Sequence, residues 1–224
     1  AFNEEYSLAG LLKDIKAKGL SVLAIDDGSI DNTFTVAQKW ADVCLHNIKN
    51  LGKGISLRKA IAYLLEEKDF DYIITMDGDG QHSVSDLSSF IEKAEKGVSF
   101  VVGNRMDNPS NMPKTRVVTN KFMSWLLSKI AHQKIPDSQC GYRLIKRDVL
   151  EKIIISTKKY EIESEMLIKA ARLGFTIESV PIKSIYTKNL RSKINPFVDT
   201  IRFIKFISGL NNDHQLKEIK KNNK

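Results

Sequence analysis

The sequence has few cysteines, no long apolar run and no signal peptide, and each absence removes a class of protein. Its two cysteines, Cys44 and Cys140, follow no metal-site spacing, which argues against a disulfide framework and favours reduced thiols in a cytosolic compartment. No apolar run approaches the ~20 residues that a membrane-spanning helix needs, and no signal-peptide pattern is present. With no internal repeat and no long linker, 224 residues predict one large domain, or one domain with a small appendage.

Acidic residues are also in short supply relative to basic ones. Lys and Arg number 35 against 27 Asp and Glu, a net charge of +8 that suggests an anionic partner such as a nucleotide, a phospholipid surface or a nucleic acid. The basic residues are spread along the chain without an aromatic-interleaved stripe, and no recognised nucleic-acid motif is present. A nucleic-acid-binding module therefore stays only as an alternative, and we expect no nucleic-acid partner.

What the chain does contain is a regular alternation of strand-like and helical patterns. Short apolar runs predict three buried strands, at 20–26, 71–77 and 98–104. Amphipathic stretches predict helices around them, at 6–18, 33–41, 55–67 and 83–96, and further helices follow at 115–132, 148–155 and 161–173, with a last strand near 174–186. This alternation predicts an α/β fold with a Rossmann-like, mostly parallel sheet flanked by helices.

Polar clusters follow the predicted strands. "DDGS" comes after the first strand, "DGDGQH" after the second and "GNR" after the third. Ligands of such sheets bind at the carboxyl ends of the strands. One site is therefore expected to collect all three clusters.

The strongest chemical signal is the pair Asp77 and Asp79. Residues i and i+2 of extended backbone point to the same side, so both carboxylates can face one ligand. Their mutual repulsion would raise one pKa unless a cation intervenes. Oxygen-only ligands favour Mg²⁺ or Mn²⁺, which bind through one or two carboxylates plus substrate phosphates, and Gln81 offers a further oxygen. A solvated Asp-Gly turn after a strand is the alternative.

Two neighbouring segments suggest a nucleotide. Asp26 and Asp27 at a strand end can accept hydrogen bonds from a nucleobase ring N–H, and uracil and guanine both offer that donor. In "NLGKG", Gly52 and Lys53 open a helix where backbone N–H groups can approach a ligand. This is not a Walker A loop, and a simple helix-initiating turn is the alternative.

Together these segments resemble the family 2 glycosyltransferases of the GT-A fold, specifically the dolichol-phosphate mannose synthase-like branch that glycosylates polyprenyl phosphates. The resemblance covers nearly the whole chain and rests on "AFNEE", "IDDGSIDNT", "NLGKG", "MDGDGQH", "VVGNR", "DSQCGYR", "EIESEML", "VPI" and "RSKINP" in that order. This sequence departs from the family pattern in two places. The family's first strand is apparently truncated, and the C-terminal membrane helices that many relatives carry are missing.

On the donor side the resemblance implies one group of binding residues. The base and ribose would be contacted by Asn3, Glu4 and Asp27. The nucleotide and metal would be held by Asp77, Asp79 and Gln81, with Gly52 and Lys53 beside them. A segment that closes over the diphosphate would carry Ser192 and Lys193.

On the acceptor side the resemblance implies a phosphate-binding group. Arg105 and Arg116 would bind the acceptor phosphate, with Thr119 or Asn120, although an exposed surface charge is the alternative for Arg116. We expect Arg143 to pair with Asp137 and brace the acceptor loop. Among these residues the catalytic ones would be Asp79, Arg105, Arg116 and Lys193. On helix 161–173, Glu163 and Glu165 are either sugar-side contacts or solvated residues.

The implied reaction is an inverting, metal-dependent transfer of a hexose from GDP-mannose or UDP-glucose to a polyprenyl phosphate. A phosphate monoester has a second pKa near ~6, so it is largely ionised at neutral pH and needs no general base. A soluble saccharide or protein acceptor is the alternative. The protein would act in the cytosol, peripherally at the cytoplasmic face of a membrane.

The implied domain organisation is a single GT-A domain over 1–210. Its nucleotide-sugar half spans 1–104 and its acceptor half 105–195. Residues 196–210 mix apolar and basic residues, which suits either an interfacial helix or one packed on its own domain. A disordered polar tail is expected over 211–224.

Overall fold

The computed structural model describes residues 1–109, 112–157, 159–183, 185, 196–210 and 215–216. The predicted contacts of Ser192 and Lys193, and all of the predicted tail except 215–216, lie outside these residues. The helices are α1 (Glu5–Lys16), α2 (Thr33–Trp40), α3 (Lys53–Glu67), α4 (Leu87–Glu95), α5 (Lys114–Ala131), α6 (Arg147–Lys152), α7 (Glu161–Arg172) and α8 (Pro196–Gly209). The strands are β1 (Leu23–Asp26), β2 (Val43–His46), β3 (Tyr72–Thr75), β4 (Phe100–Asn104), β5 (Arg143–Lys146) and β6 (Ile177–Pro181).

The strands form two sheets. β1 and β2 pair in parallel, and the larger sheet has the order β3-β5-β4-β6. In the larger sheet β5 runs antiparallel to both β3 and β4, while β6 is parallel to β4, so only β5 is reversed. The α/β class and the mostly parallel sheet are therefore confirmed. Within the described residues no strand pairs β1 with β3.

Two strands, β2 and β5, are missing from the sequence prediction. Each has only four residues, too few for an alternating pattern to be recognised; β2 ends in a histidine and β5 has a charged residue at both ends. β5 is nevertheless a central strand because β3 and β4 flank it on both sides. Its position fixes the loop that precedes it, which carries Gly141.

The main hydrophobic core lies around β4 and α7. All five residues of β4 are buried, and α7 is buried along residues 162–171. A smaller core, formed by residues such as Leu8, Val22 and Ala37, joins α1 and α2 to β1. This packing holds the carboxyl ends of β1, β3 and β4 in place.

Helix α8 packs on this domain. Phe203 is buried, and Phe206, Ile207 and Leu210 pack against the main core, while Ile204 is exposed. These contacts favour a packed helix over the interfacial alternative. None of the helices in the described ranges is long and apolar enough to cross a membrane.

Candidate functional site

The loops after β1 and β3 lie side by side, as the sequence predicts. The Ala1 amino group donates to the Ile25 carbonyl at 2.8 Å, and a Cβ built on Gly78 would lie 3.0 Å from the Ala1 Cβ. The Ser7 hydroxyl donates to the Gly78 carbonyl at 2.8 Å. The "DDGS" and "DGDGQH" segments therefore border one region at the carboxyl ends of the strands.

A three-membered charge cluster occupies the centre of this region. Lys53 Nζ, from the first turn of α3, lies 2.5 Å from Asp77 Oδ1 and 2.6 Å from Glu163 Oε1. Burial alone would lower the pKa of Lys53, but the two carboxylates raise it above its ordinary value. Burial likewise opposes ionisation of Asp77, yet Lys53 holds the Asp77 pKa well below its usual range. Lys53 thus stays charged and keeps Asp77 ionised.

Gly141 is the residue that makes room for this cluster. A Cβ at position 141 would lie 2.8 Å from Asp77 Oδ2, 2.8 Å from Lys53 Nζ and 2.9 Å from Glu163 Oε1. Real Cβ atoms essentially never approach other heavy atoms so closely. Sequence reasoning missed this requirement, and the glycine in "QCGYR" was its only signal.

Asp79 carries a negative charge that no described ion pair compensates. Its Oδ1 accepts the backbone N–H of Gln81 at 3.0 Å. Burial, followed by the charges of Asp77 and Glu4, raises the pKa of Asp79 above its ordinary value. No ion pair joins Asp79 to another residue in the described part of the chain.

The donor atoms of this loop suit a hard divalent cation. No group of three or more His, Cys, Asp or Glu side chains in the described residues could hold a metal by itself. Mg²⁺ and Mn²⁺ need no such cage when substrate phosphates complete their coordination. Asp77 and Asp79 supply the carboxylate oxygens, whereas the described contact of Gln81 with Asp79 is made by its backbone. The residues therefore fit a cation that is shared with a diphosphate.

His82 anchors the start of the acidic loop. Its ring stacks on Tyr142 at 5.1 Å between centroids, and its Nδ1 accepts the Asp77 N–H at 3.4 Å. Burial lowers the pKa of His82 to about 4, so the imidazole is neutral at physiological pH. No role is predicted for His82 from the sequence.

The predicted base-binding residues lie together, and one has a structural task. Asp27 is 5% exposed and accepts hydrogen bonds from the N–H groups of Leu51 and Gly52 at 3.0 and 2.9 Å. Burial opposes ionisation, but these bonds and one from Asn47 hold the pKa of Asp27 below its ordinary value. Asp27 therefore fixes the "NLGKG" turn.

The residues before α1 complete this side. Asn3 has a left-handed backbone with φ of 54°, and its side-chain oxygen accepts the Ile30 N–H at 3.0 Å. The Glu4 N–H donates to Thr33 Oγ1 at 2.7 Å. Both residues therefore line the loop that follows Asp27.

On the acceptor side the structure corrects one predicted pairing. Asp137 is paired with Arg105, whose Nε and Nη2 lie 2.7 and 2.8 Å from its two oxygens. Arg143 instead donates to three backbone carbonyls, those of Cys140, Glu163 and Ser138. The prediction that Arg143 pairs with Asp137 is wrong, because β5 turns its guanidinium inward between the 138–140 loop and α7. Arg143 still braces this loop.

Helix α5 carries the other acceptor candidates. Arg116 is half-buried in its first turn, and the Thr119 hydroxyl donates to the Thr115 carbonyl at 2.9 Å. Asn120 is buried, and its side-chain nitrogen has no hydrogen-bond partner in the described structure. One turn later Ser124 Oγ accepts the Ser138 N–H at 2.8 Å, so Asn120 shares the face that meets the loop of Asp137.

Of the two α7 glutamates singled out from the sequence, Glu163 and Glu165, only Glu163 reaches the site, and neither is solvated. Glu165 is 1% exposed, pairs with Lys169 at 2.8 Å and accepts the N–H groups of Ser156 and Thr157. Burial opposes its ionisation, but Lys169 and these donors hold the pKa of Glu165 below its ordinary value. Glu165 is a structural residue.

Replacing Glu165 with glutamine is expected to lower the free energy of unfolding by about 3–5 kcal/mol at neutral pH, because buried Lys169 loses its counter-charge and keeps neutral acceptors such as the Ile154 carbonyl. The folded-state pKa of Glu165 is depressed, so its contribution is present above the ordinary value of 4.5 and is lost as pH falls through the lower folded-state value. Urea unfolding of both proteins at several pH values measures the difference. If the difference in unfolding free energy between parent and variant does not narrow under acid conditions, the structural role of Glu165 is contradicted.

Comparison with known proteins identifies the class. The chain superimposes on mannosyl-3-phosphoglycerate synthase from Rubrobacter xylanophilus with a TM-score of 0.72 at 18% identity, covering 96% of this chain and 74% of that one. Glucosyl-3-phosphoglycerate synthase from Mycobacterium tuberculosis, in complex with Mn²⁺, UDP and phosphoglyceric acid, gives a TM-score of 0.67 at 19% identity, covering 90% and 71%. The fold is that of the GT-A glycosyltransferases.

Sequence comparison identifies the family. Residues 1–154 match glycosyl transferase family 2. An uncharacterized protein of Methanocaldococcus jannaschii is 32% identical over 200 residues, which are 86% of this chain and 82% of that protein. The UDP-N-acetylglucosamine–dolichyl-phosphate N-acetylglucosaminyltransferase of Methanococcus voltae is 29% identical, covering 84% of each chain. Polyprenol monophosphomannose synthase of Mycolicibacterium smegmatis is 28% identical, covering 72% of this chain and 65% of that protein. The chain belongs to glycosyl transferase family 2 and is a glycosyltransferase.

Proposed function

We propose that this glycosyltransferase moves a hexose from a nucleoside-diphosphate sugar to the phosphate of a polyprenyl phosphate, with inversion and with Mg²⁺ or Mn²⁺. The observation that carries the proposal is the acidic loop after β3, where Asp79 stands next to the Lys53–Asp77 pair and beside the Asp27 loop. The relatives from Methanococcus voltae and Mycolicibacterium smegmatis, named for dolichyl-phosphate and polyprenol substrates, support the acceptor class.

The residues of the donor site have different proposed roles. Asp77 and Asp79 would hold the cation, which supplies positive charge beside the departing diphosphate. Lys53 keeps Asp77 ionised and in place. Asn3, Glu4 and the loop fixed by Asp27 border the place for the base. Ser192 and Lys193 remain proposed contacts of the diphosphate.

The acceptor phosphate would bind between β4 and α5. Arginine suits phosphate because its guanidinium is always charged and carries five N–H donors, of which Arg105 gives two to the Asp137 carboxylate. Asp137 holds the Arg105 guanidinium at the end of β4, and Arg116 and Asn120 share one face of α5. The acceptor oxygen is already ionised, so the transfer needs no carboxylate base.

The test is a transfer assay with the purified chain, Mn²⁺ and labelled GDP-mannose, UDP-glucose or UDP-N-acetylglucosamine. A polyprenyl phosphate in detergent is expected to give a labelled, organic-soluble product with one donor, and chelation of the cation is expected to abolish it. Transfer to 3-phosphoglycerate or a free saccharide, with none to the lipid, would overturn the acceptor assignment. Thermal-shift titration with GDP and UDP identifies the base that the protein prefers, independently of the transfer assay.

Asn120 offers a sharper test of the acceptor site, because stability and activity should move in opposite directions. Leaving a buried donor unpaired costs about 1–3 kcal/mol. Asn120→Leu removes it, so the free energy of unfolding should be unchanged or higher by about 1 kcal/mol, while KM for polyprenyl phosphate rises about tenfold through loss of one hydrogen bond. The KM for the nucleotide sugar is the internal control. An unchanged acceptor KM would remove Asn120 from the site.

A further inference from the structure

Helix α5 presents two opposite faces, and only one of them is explained by the fold. Its inner face is buried against the core by Met123, Leu127 and Ala131. Its outer face exposes three large apolar side chains: Val118 is 68% exposed, Phe122 48% and Trp125 57%. The Phe122 and Trp125 rings stack on each other, with centroids 6.2 Å apart. At 3.6 residues per turn these three positions form one continuous stripe.

The charges around this stripe all have one sign. Within 114–131 the chain carries Lys114, Arg116, Lys121 and Lys129 and no acidic residue. Lys114, Lys121 and Lys129 are exposed on the same side as the stripe. A solvated helix face normally mixes both signs and little apolar surface. The α5 outer face, meaning Val118, Phe122 and Trp125 with these three lysines, is therefore suited to an anionic and partly apolar surface.

We propose that the α5 outer face docks on a bilayer that contains anionic phospholipid, with the helix axis in the plane of the membrane interface. Tryptophan and phenylalanine enter the boundary between headgroups and acyl chains, and tryptophan keeps its N–H near water. Lysines extend their charged ends to lipid phosphates while their stems cover apolar surface. An apolar stripe bordered by lysines is the pattern of helices that lie on a membrane.

The position of α5 links membrane docking to the candidate acceptor site. Arg116 and Asn120, the candidate acceptor-phosphate residues, lie on the same helix as the stripe. A helix is only ~10–12 Å across with its side chains, so docking would bring these residues close to the headgroups. In this respect the inference rests on the proposed function, because it supplies the route by which a lipid-linked phosphate reaches the site. The binding to lipid itself depends on the α5 outer face alone.

The chain provides its own reporter for a direct test. It has two tryptophans, Trp40 and Trp125. In a Trp40→Phe background Trp125 is the only source of tryptophan fluorescence. Vesicles of phosphatidylcholine with phosphatidylglycerol, free of any polyprenyl phosphate, are expected to shift its emission to the blue and to sediment the protein. Pure phosphatidylcholine vesicles are expected to do so much more weakly.

Variants separate the apolar and charged contributions. The double variant Val118→Ser/Phe122→Ser should weaken vesicle binding about tenfold or more through lost apolar burial. Lys121→Gln and Lys129→Gln should each weaken it about fivefold on anionic vesicles. The matched control is Ile48→Ser, which removes an apolar side chain that is 98% exposed elsewhere on the surface. This control should bind like the parent, and circular dichroism verifies that all variants are folded.

The outcomes distinguish this inference from the proposed function. Loss of vesicle binding in the stripe variants, with transfer to a short-chain, water-soluble prenyl phosphate retained, supports the α5 outer face. Transfer by a parent protein that binds no vesicles would overturn the docking surface and leave the reaction standing. Vesicle binding without any transfer would overturn the proposed reaction and leave the docking surface standing. Concentration-dependent dimerisation that the stripe variants abolish, without vesicle binding, would assign the face to a second copy and overturn the proposal.

Discussion

Asp79→Asn is expected to lower kcat by about 10²–10³-fold, because it removes a carboxylate charge that would hold the cation beside the departing diphosphate. Stability should change the other way. The pKa of Asp79 is raised in the folded protein by burial and by the charges of Asp77 and Glu4, so its ionised form opposes folding at neutral pH. The metal-free variant should therefore unfold at a higher urea concentration than the parent.

Asp71→Asn provides the matched control for this prediction. Asp71 is exposed at the opposite end of the same strand, so its neutralisation should leave both activity and stability almost unchanged. Calorimetric titration of Mn²⁺ in the presence of UDP or GDP adds a readout that does not depend on turnover, and the Asp79 variant should show much weaker binding. Full activity in Asp79→Asn would refute the metal assignment.

Gly141→Ala should disrupt the charge cluster of Lys53, Asp77 and Glu163. The new Cβ would press on Asp77, Lys53 and Glu163 at 2.8–2.9 Å, and these side-chain ends are held by their mutual ion pairs. Displacing Lys53 breaks a charge network that is only partly buried, since the Asp77 side chain is 37% exposed, so the loss should be about 1–3 kcal/mol. Urea unfolding should report a loss of this order, and kcat should fall about 10²-fold as Asp77 leaves its place.

Gly10→Ala is the matched control for Gly141→Ala, because it adds the same methyl group elsewhere in the chain. Nothing lies within 4 Å of a Cβ built on Gly10, in the middle of α1. This change should therefore raise the free energy of unfolding by about 0.5–1 kcal/mol through helix propensity alone. Shortening Glu163 to aspartate in the Gly141→Ala background should recover part of the stability. Two glycine variants of equal stability and activity would mean that the charge cluster has no role in the site.

The sequence predicts the local framework well. Strands β1, β3 and β4 and helices α1 to α5 lie within or close to their predicted ranges, because a buried strand leaves an apolar run and a helix buried on one face leaves a period in the sequence. The position of the acidic loop also follows from the sequence, since polar residues after a buried strand must lie at the sheet edge. The resemblance supplied the family, which the comparisons confirm.

The sequence did not reveal which charged groups pair across the fold. Lys53 and Glu163 are 110 residues apart, and Arg105 and Asp137 are 32 apart, so no spacing rule joins them. The wrong prediction for Arg143 has the same origin: Asp137 had two arginine candidates, and the short strand β5 that decides between them has no recognisable pattern. The need for Gly141 also appears only when three side chains converge on it.

Periodicity, composition and strand-end motifs are properties of neighbouring residues, and they determined the fold class, most of the elements and the acidic loop. Partners that are distant in the chain depend on how helices and strands pack, because burial forces each charge to find a counter-charge within a few ångströms. The tertiary structure alone therefore decided the ion pairs of Lys53 with Asp77 and Glu163 and that of Arg105 with Asp137. It also decided the unpaired side-chain nitrogen of Asn120 and the exposed apolar stripe of α5.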